Sequence, residues 1–312
     1  GVVLGGPIAI LIVSLINPDW VGGSGPDAVW RGLTTVAGSW IGGGANQLAM
    51  KEVFDVSDSI YPAMVAVDVL VAEFWMMFLL LGVGKADAID RWMKADASSI
   101  ERLKNKMEAF SKKTARVATT TDLVVIGAIG FGVTALSHFV AGTVAPWLEK
   151  VGGSGPAFQW ILNFSLHKDF FWIVVTSTSV GVLLSFTPLR RYEGAGASKV
   201  GVVFIFILVA VIGMKMDLMA VVEYRELFLV GLIWMAFHVV LLFATAWLIR
   251  APYFFLAVGS KANIGGAASA PVVAAAFHPA LAPVGVLLAV LGYALGTYGA
   301  MICGYLMRGV AP

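Results

Sequence analysis

Residues 39–49, Ser-Trp-Ile-Gly-Gly-Gly-Ala-Asn-Gln-Leu-Ala, place three consecutive glycines inside an apolar stretch that runs from about Arg31 to Phe54. Residues 262–272, Ala-Asn-Ile-Gly-Gly-Ala-Ala-Ser-Ala-Pro-Val, repeat this pattern in a stretch from Pro252 to Phe277. The two segments align without a gap, with Ile41, Gly42, Gly43, Ala45 and Phe54 opposite Ile264, Gly265, Gly266, Ala268 and Phe277. Glycine-interrupted hydrophobic segments at corresponding positions of two halves indicate a transporter binding site.

The sequence around these two breaks is that of a membrane protein. Hydrophobic residues make up 59% and charged residues 13% of the 312 residues, whereas soluble domains carry roughly a quarter charged residues. Seven further apolar runs are candidate spans: Gly1–Ile16, Tyr61–Val83, Thr121–Leu148, Phe170–Leu189, Val200–Met214, Leu227–Ile249 and Leu281–Met307. The pattern predicts an all-α integral membrane protein, multi-pass in the cell (inner) membrane. A net charge of +2 gives no indication of a nucleic-acid partner.

Basic residues between the runs suggest the topology. The first connection, Lys85–Arg116, holds nine Lys/Arg against five Asp/Glu. A second connection contains Arg190, Arg191 and Lys199, and a third contains Arg250 and Lys261. The positive-inside rule places these three connections in the cytoplasm. Residues Ser98–Ala115 carry apolar side chains at helical spacing, so we predict an amphipathic helix at the cytoplasmic face.

The two glycine breaks have three possible structural interpretations. If both interrupted segments are re-entrant, the halves are inverted repeats: residues 1–84 are the remainder of the first repeat, 85–120 the cytoplasmic amphipathic linker and 121–312 the second repeat. We prefer this interpretation to one in which each segment is a broken helix that crosses the membrane. A third possibility is that the glycine pairs only allow close helix packing. Close packing is our interpretation of the stripe Gly292, Gly296, Ala300 and Gly304.

The breaks define the candidate solute site. Unwound backbone within a membrane survives only where protein or a wet cavity supplies hydrogen-bond partners, and a helix that restarts after a break presents free N–H groups. Side-chain amides and hydroxyls beside the breaks can hold a small solute or sodium. We therefore predict these substrate-binding residues: Ser39, Gly42, Gly43, Gly44, Asn46, Gln47, Asn263, Gly265, Gly266 and Ser269.

One carboxylate stands in the middle of an apolar run. Asp68 is flanked by valines and alanines, and ionisable residues inside a span are costly and usually functional. We predict that Asp68 couples transport to an ion, either by binding sodium as the one metal site or by carrying a proton; a structural hydrogen bond to a neighbouring helix is the alternative. Glu73 lies about 140° further around the same helix. It is a secondary ion-coupling candidate, as is Thr297 in the second half.

Several stretches resemble the YjcL-like membrane protein family, domain of unknown function 819. They are Gly38–Asn46, Met64–Asp68, Ser185–Ser198, Ile212–Lys215, Lys261–Gly266 and Gly292–Tyr298. The family is distantly similar to sodium/glutamate symporters, citrate-type carriers and cation/proton antiporters, whose inverted repeats move like an elevator. The resemblance implies that Gly42–Asn46, Asp68 and Asn263–Ser269 form the substrate and ion centre, and that further N-terminal helices precede residue 1.

The leading functional hypothesis is a secondary active transporter that moves a small anionic solute with sodium or protons by alternating access. It requires no cofactor apart from a sodium ion, and we expect a homodimer. A passive channel or holin-like export pore is the alternative, because glycine-lined re-entrant segments also build selectivity filters. An enzyme is not expected: Ser260 and His278 are the nearest nucleophile and base, and their spacing does not bring them together.

Overall fold

The computed structural model describes residues 1–23, 25–114, 116–155, 158, 167, 169–214 and 219–312. Residue Lys215 of the family-like stretch Ile212–Lys215 and residue Ala115 of the predicted amphipathic helix lie outside these ranges. The described residues form helices and turns, and three helices, Tyr61–Val83, Thr120–Gly152 and Arg225–Ile249, are long and apolar enough to cross a membrane. The prediction of an all-helical membrane protein is confirmed at this level.

The helices follow the apolar runs closely. In chain order they are α1 Val2–Ile16, α2 Val29–Gly42, α3 Gly44–Val53, α4 Tyr61–Val83, α5 Ala86–Met93, α6 Ser98–Thr114, α7 Thr120–Gly152, α8 Asp169–Ser185, α9 Ala197–Gly213, α10 Ala220–Glu223, α11 Arg225–Ile249, α12 Tyr253–Asn263, α13 Gly266–Phe277 and α14 Ala282–Val310. Each of the seven predicted runs is helical, and each interrupted stretch is a pair of short helices.

Packing divides the chain into two compact units. One consists of Gly1–Lys51, Asp55–Phe110 and Phe204–Pro312, and the other of Glu52–Phe54 and Ser111–Val203. The first unit contains both glycine breaks. The repeat boundaries at residues 84 and 120 remain a prediction.

The first break joins α2 and α3 into a hairpin. Gly43 has φ +76°, a conformation that side chains disfavour, and the turn it makes brings the Asn46 carbonyl against Gly38. The two ends of the hairpin also meet, because the Ser57 N–H donates to the Pro26 carbonyl at 3.1 Å. The chain therefore enters and leaves this element, the first hairpin, at the same end.

The second break joins α12 and α13 in the same way. Here Gly265 adopts φ +100° and Gly266 φ +58°. Phe254, at the start of α12, packs edge-to-face on Phe277, at the end of α13, with ring centroids 5.2 Å apart. Residues that far apart in sequence meet only if the helices run antiparallel, so this element, the second hairpin, also begins and ends on one side.

The linker segment supports the second hairpin. α6 covers the predicted amphipathic helix, and its Ile100 and Leu103 pack against the apolar core of the first unit. In α5, the buried Asp90 accepts a hydrogen bond from the Tyr253 N–H at 2.6 Å. This carboxylate caps the first turn of α12, where unpaired N–H groups favour a negative charge.

In the second unit, α7 packs along α8. Thr119 and Asp122 form a capping box at the start of α7. Arg116 donates two hydrogen bonds of 2.7 Å to the Asp122 carboxylate. These contacts fix where α7 begins.

Asp27 lies at the end where the chain enters and leaves the first hairpin, and its carboxylate accepts hydrogen bonds from the hydroxyls of Ser57 and Ser59. These two bonds lower the pKa of Asp27. A carboxyl group with a depressed pKa stabilises the fold above its unfolded pKa of about 4, and the contribution disappears as the pH falls through the folded value. We expect Asp27→Asn to lower the melting temperature slightly at neutral pH, with the difference vanishing in acid. Melting curves of the two purified proteins between neutral and acid pH test this; a difference that persists in acid contradicts it.

Candidate functional site

The tip of the first hairpin is tied to α14. Asn46 Nδ2 donates to the Gly42 carbonyl at 2.8 Å, which pairs a carbonyl that the helix end leaves open. Asn46 Oδ1 accepts from the Thr297 hydroxyl at 2.7 Å. Both side chains are buried, so this bond connects polar groups that are 251 residues apart in sequence.

The tip of the second hairpin lies against the same helix. A side-chain carbon at Gly292 would lie 3.1 Å from the Ala262 carbonyl and 3.4 Å from Asn263 Oδ1, both at the end of α12. One turn further along α14, a side-chain carbon at Gly296 would overlap Gly42. The step of four residues from Gly292 to Gly296 spans about 6 Å of helix. The predicted small-residue stripe thus brings the two breaks next to each other.

Asp68 lies between the hairpins on α4. Gln47 Nε2, from the first hairpin, donates to Asp68 Oδ2 at 2.8 Å, and the Ser39 hydroxyl lies near the same carboxylate. The Trp40 indole also lies near Asp68, although its N–H makes no hydrogen bond of normal geometry with a described residue. Each of these three side chains carries a hydrogen-bond donor group.

The prediction that Lys261 lies in a cytoplasmic connection is wrong. The residue lies inside α12 with none of its surface exposed. Its ammonium donates to the Ala72 carbonyl at 3.3 Å and lies 3.6 Å from Glu73 Oε1. The charge of Asp68 also acts on it. A basic residue next to a helix end resembles a topological signal in the sequence, and only the packing of Lys261 against α4 reveals its ion pair with the half-exposed Glu73.

The remaining predicted residues divide into backbone and side-chain groups. Gly43 and Gly265 form the turns, and Gly44 and Gly266 begin the helices that follow. Ser269 is buried next to Gly265, and its hydroxyl has no hydrogen-bond partner among the described residues. A buried hydroxyl without a partner is costly, so a ligand or water that pairs with it is expected to bind there.

Ser260 and His278 do not form a pair. The Ser260 hydroxyl accepts a hydrogen bond from Trp75 Nε1 at 2.8 Å and lies 3.0 Å from His238 Nε2. His278 instead accepts from the Ala280 N–H within its own turn. Among the described residues, no group of three His, Cys, Asp or Glu side chains could hold a metal ion.

The family model described as "Protein of unknown function (DUF819)" matches residues 1–310. The chain belongs to this family. The family resemblance predicted from the glycine motifs is therefore confirmed, and the DUF819 assignment covers both hairpins, α4 and α14. Neither a curated protein nor a solved structure matches the chain.

Proposed function

We propose that this DUF819 protein is a secondary active transporter, multi-pass in the cell (inner) membrane, that moves a small anionic solute coupled to sodium or protons. The observation that carries the proposal is the meeting of two broken helices: both hairpin tips contact α14 within one turn, at Gly292 and Gly296. In a membrane, broken backbone of this kind lines a binding site or a wet cavity.

The order of the elements supports inverted repeats. Each hairpin is followed by a long apolar helix, α4 after the first and α14 after the second. Each of these helices then packs on the tip of the other hairpin, α14 through Gly296 against Gly42 and α4 through Ala72 against Lys261. Such reciprocal packing is what a two-fold relation between repeats produces, and it suits an elevator-like movement around one centre.

The chemistry at the tips favours an anion. The restarting helices α3 and α13 direct unpaired N–H groups and the positive ends of their dipoles toward the centre. The Ser269 hydroxyl, which has no hydrogen-bond partner in the part of the chain that the structure describes, lies at the second tip, and the buried Lys261 adds a positive charge there. A carboxylate is the small group that would pair with such donors.

A screen of small carboxylic and amino acids against the purified protein tests the proposal. A ligand that binds only the folded state at a concentration 100 times its Kd stabilises it by about 2.7 kcal/mol, so a true substrate is expected to raise the melting temperature clearly. The Asn46→Ala variant should lose this shift because its amide ties the first tip to α14. The exposed Asn105 of α6 provides the control, and Asn105→Ala should keep the shift.

Uptake of the same acid into proteoliposomes then distinguishes a carrier from a pore. A carrier accumulates the acid only when an ion gradient is imposed, whereas a pore gives ionic currents in a planar bilayer that far exceed carrier turnover. Large single-channel currents would favour the pore, and the absence of both stabilisation and uptake for every acid would contradict the transporter proposal.

A further inference from the structure

The buried charges between the hairpins carry an inference about the coupling ion. Lys261 is fully buried, and an ammonium in such a place must be balanced by a negative charge and hydrogen bonds. It belongs to the second hairpin, whereas the two carboxylates that act on it, Asp68 and Glu73, both lie on α4. The pairing therefore joins a hairpin to the opposite long helix.

Lys261 is shared between its partners. Its contacts with the Ala72 carbonyl and Glu73 Oε1 are 3.3 and 3.6 Å long, whereas strong charge-assisted hydrogen bonds are about 2.7 to 2.9 Å. Asp68 lies one helical turn before Ala72 on α4 and also attracts the ammonium. A flexible lysine side chain with partners on both sides can move toward either carboxylate without leaving its position on α12.

The surroundings of Asp68 do not suit sodium. A hard cation binds to several oxygen atoms, but Asp68 accepts a hydrogen bond from the Gln47 amide N–H, and the Ser39 hydroxyl and the Trp40 indole, which also carry donor hydrogens, lie near it. The Ala72 carbonyl is already bonded to Lys261, whose positive charge repels a second cation. A proton is the cation that needs no set of oxygen ligands to neutralise a carboxylate, and the burial of Asp68 favours its neutral form.

The other titratable groups near this cluster have partners of their own. From α11, His238 faces Ser260, the neighbour of Lys261, and pairs with its hydroxyl. From α5, Asp90 is bonded to the Tyr253 backbone. The charges that act directly on Asp68 and Lys261 are one another and that of Glu73.

We infer that Lys261 is a built-in counter-cation for Asp68, and that the transporter proposed above is coupled to protons through Asp68 and not to sodium. This inference rests on the proposed function and names its coupling ion. While Asp68 is ionised, Lys261 balances it and holds the second hairpin against α4. When Asp68 takes up a proton, an O–H bond forms on its carboxylate, Lys261 stays an ammonium, and its pairing shifts to Glu73. Release of the same proton restores the pair, so no other group changes its charge.

Infrared difference spectroscopy of the purified full chain tests this without a known solute. A protonated carboxyl group has a C=O stretching band that the carboxylate lacks. The chain has 19 Asp and Glu residues, each of which gives such a band when it is protonated. We expect the pH titration of the native chain in potassium buffer to contain one band component that is absent from Asp68→Asn and present in Asp87→Asn, which replaces an exposed carboxyl on α5. Replacing potassium by sodium at constant ionic strength should leave its midpoint unchanged. In Lys261→Met the midpoint should rise by about 1 to 3 pH units, because the opposite charge that favours the carboxylate is gone.

Each outcome decides one point. Removal of this component by sodium, or its shift to lower pH, would overturn the inference, as would its persistence in Asp68→Asn or a midpoint that Lys261→Met leaves unchanged. Because Lys261→Met could disturb the fold, its melting curve is recorded alongside, and Lys261→Arg, which keeps the charge, should restore a midpoint near that of the native chain. Failure of every solute to bind or enter liposomes would instead contradict the proposed function and leave this titration valid.

Discussion

Replacing Gly296 with alanine is expected to lower the free energy of unfolding by about 1 to 3 kcal/mol, the usual cost of overfilling a packed interior. The added carbon would overlap the backbone of Gly42 and lie 3.0 Å from the Ile41 carbonyl. Backbone cannot swing aside as a side-chain end can, so α14 must move away from the first hairpin. That movement also pulls Thr297 from Asn46, and the stabilisation by bound acid should fall with it.

Gly309 of the same helix provides a matched control, because a side-chain carbon there meets nothing within 4 Å. Gly309→Ala should leave the melting temperature unchanged or raise it slightly, since alanine is the better helix former. Thermal unfolding of both variants in detergent, with and without the acid, measures the effect. Equal melting temperatures for the two variants would show that the tip of the first hairpin does not pack tightly on α14.

Asp68→Asn is expected to abolish gradient-driven uptake, down to the level of liposomes without protein. Asparagine keeps the size of the side chain and can still accept from Gln47, which holds the carboxylate at 2.8 Å. It cannot carry a charge, so the ion gradient no longer acts on the site. The melting temperature should fall moderately, because the buried Lys261 loses one of the two carboxylates that balance it and keeps Glu73.

Uptake into proteoliposomes under an imposed gradient measures this, with Asp87→Asn as the control for loss of one carboxyl group outside the site. Exchange of labelled for unlabelled acid across the membrane, without a gradient, should survive in Asp68→Asn if solute binding is separate from coupling. Native uptake in Asp68→Asn would remove this carboxylate from the mechanism.

The hairpins could be predicted because their cause is local. Glycines permit a turn within apolar sequence, although the pair Gly5 and Gly6 stays inside the continuous helix α1. The turns at Gly43 and Gly265 lie one position apart in the alignment of the two segments. The central position of Asp68 in α4 could also be predicted, since a lone carboxylate among valines and alanines is visible in the sequence.

The partners could not be predicted, because they depend on which helix faces fold together. Nothing in the sequence pairs Gln47 with Asp68 or Asn46 with Thr297. Lys261 shows the difficulty best: basic residues between apolar runs usually remain in water, and the rule that locates them has no information on packing. The two carboxylates on α4 that balance Lys261 lie almost 190 residues earlier.

The bond between Asn46 and Thr297 has a consequence for biosynthesis. The ribosome completes the first hairpin early, but the hydroxyl that satisfies its tip belongs to the last helix of this sequence. Until that helix emerges, the Asn46 amide oxygen of the nascent chain lacks the partner that it has in the folded protein. The early segments must therefore insert before they have their final contacts, and the folded structure can form only when translation has reached α14.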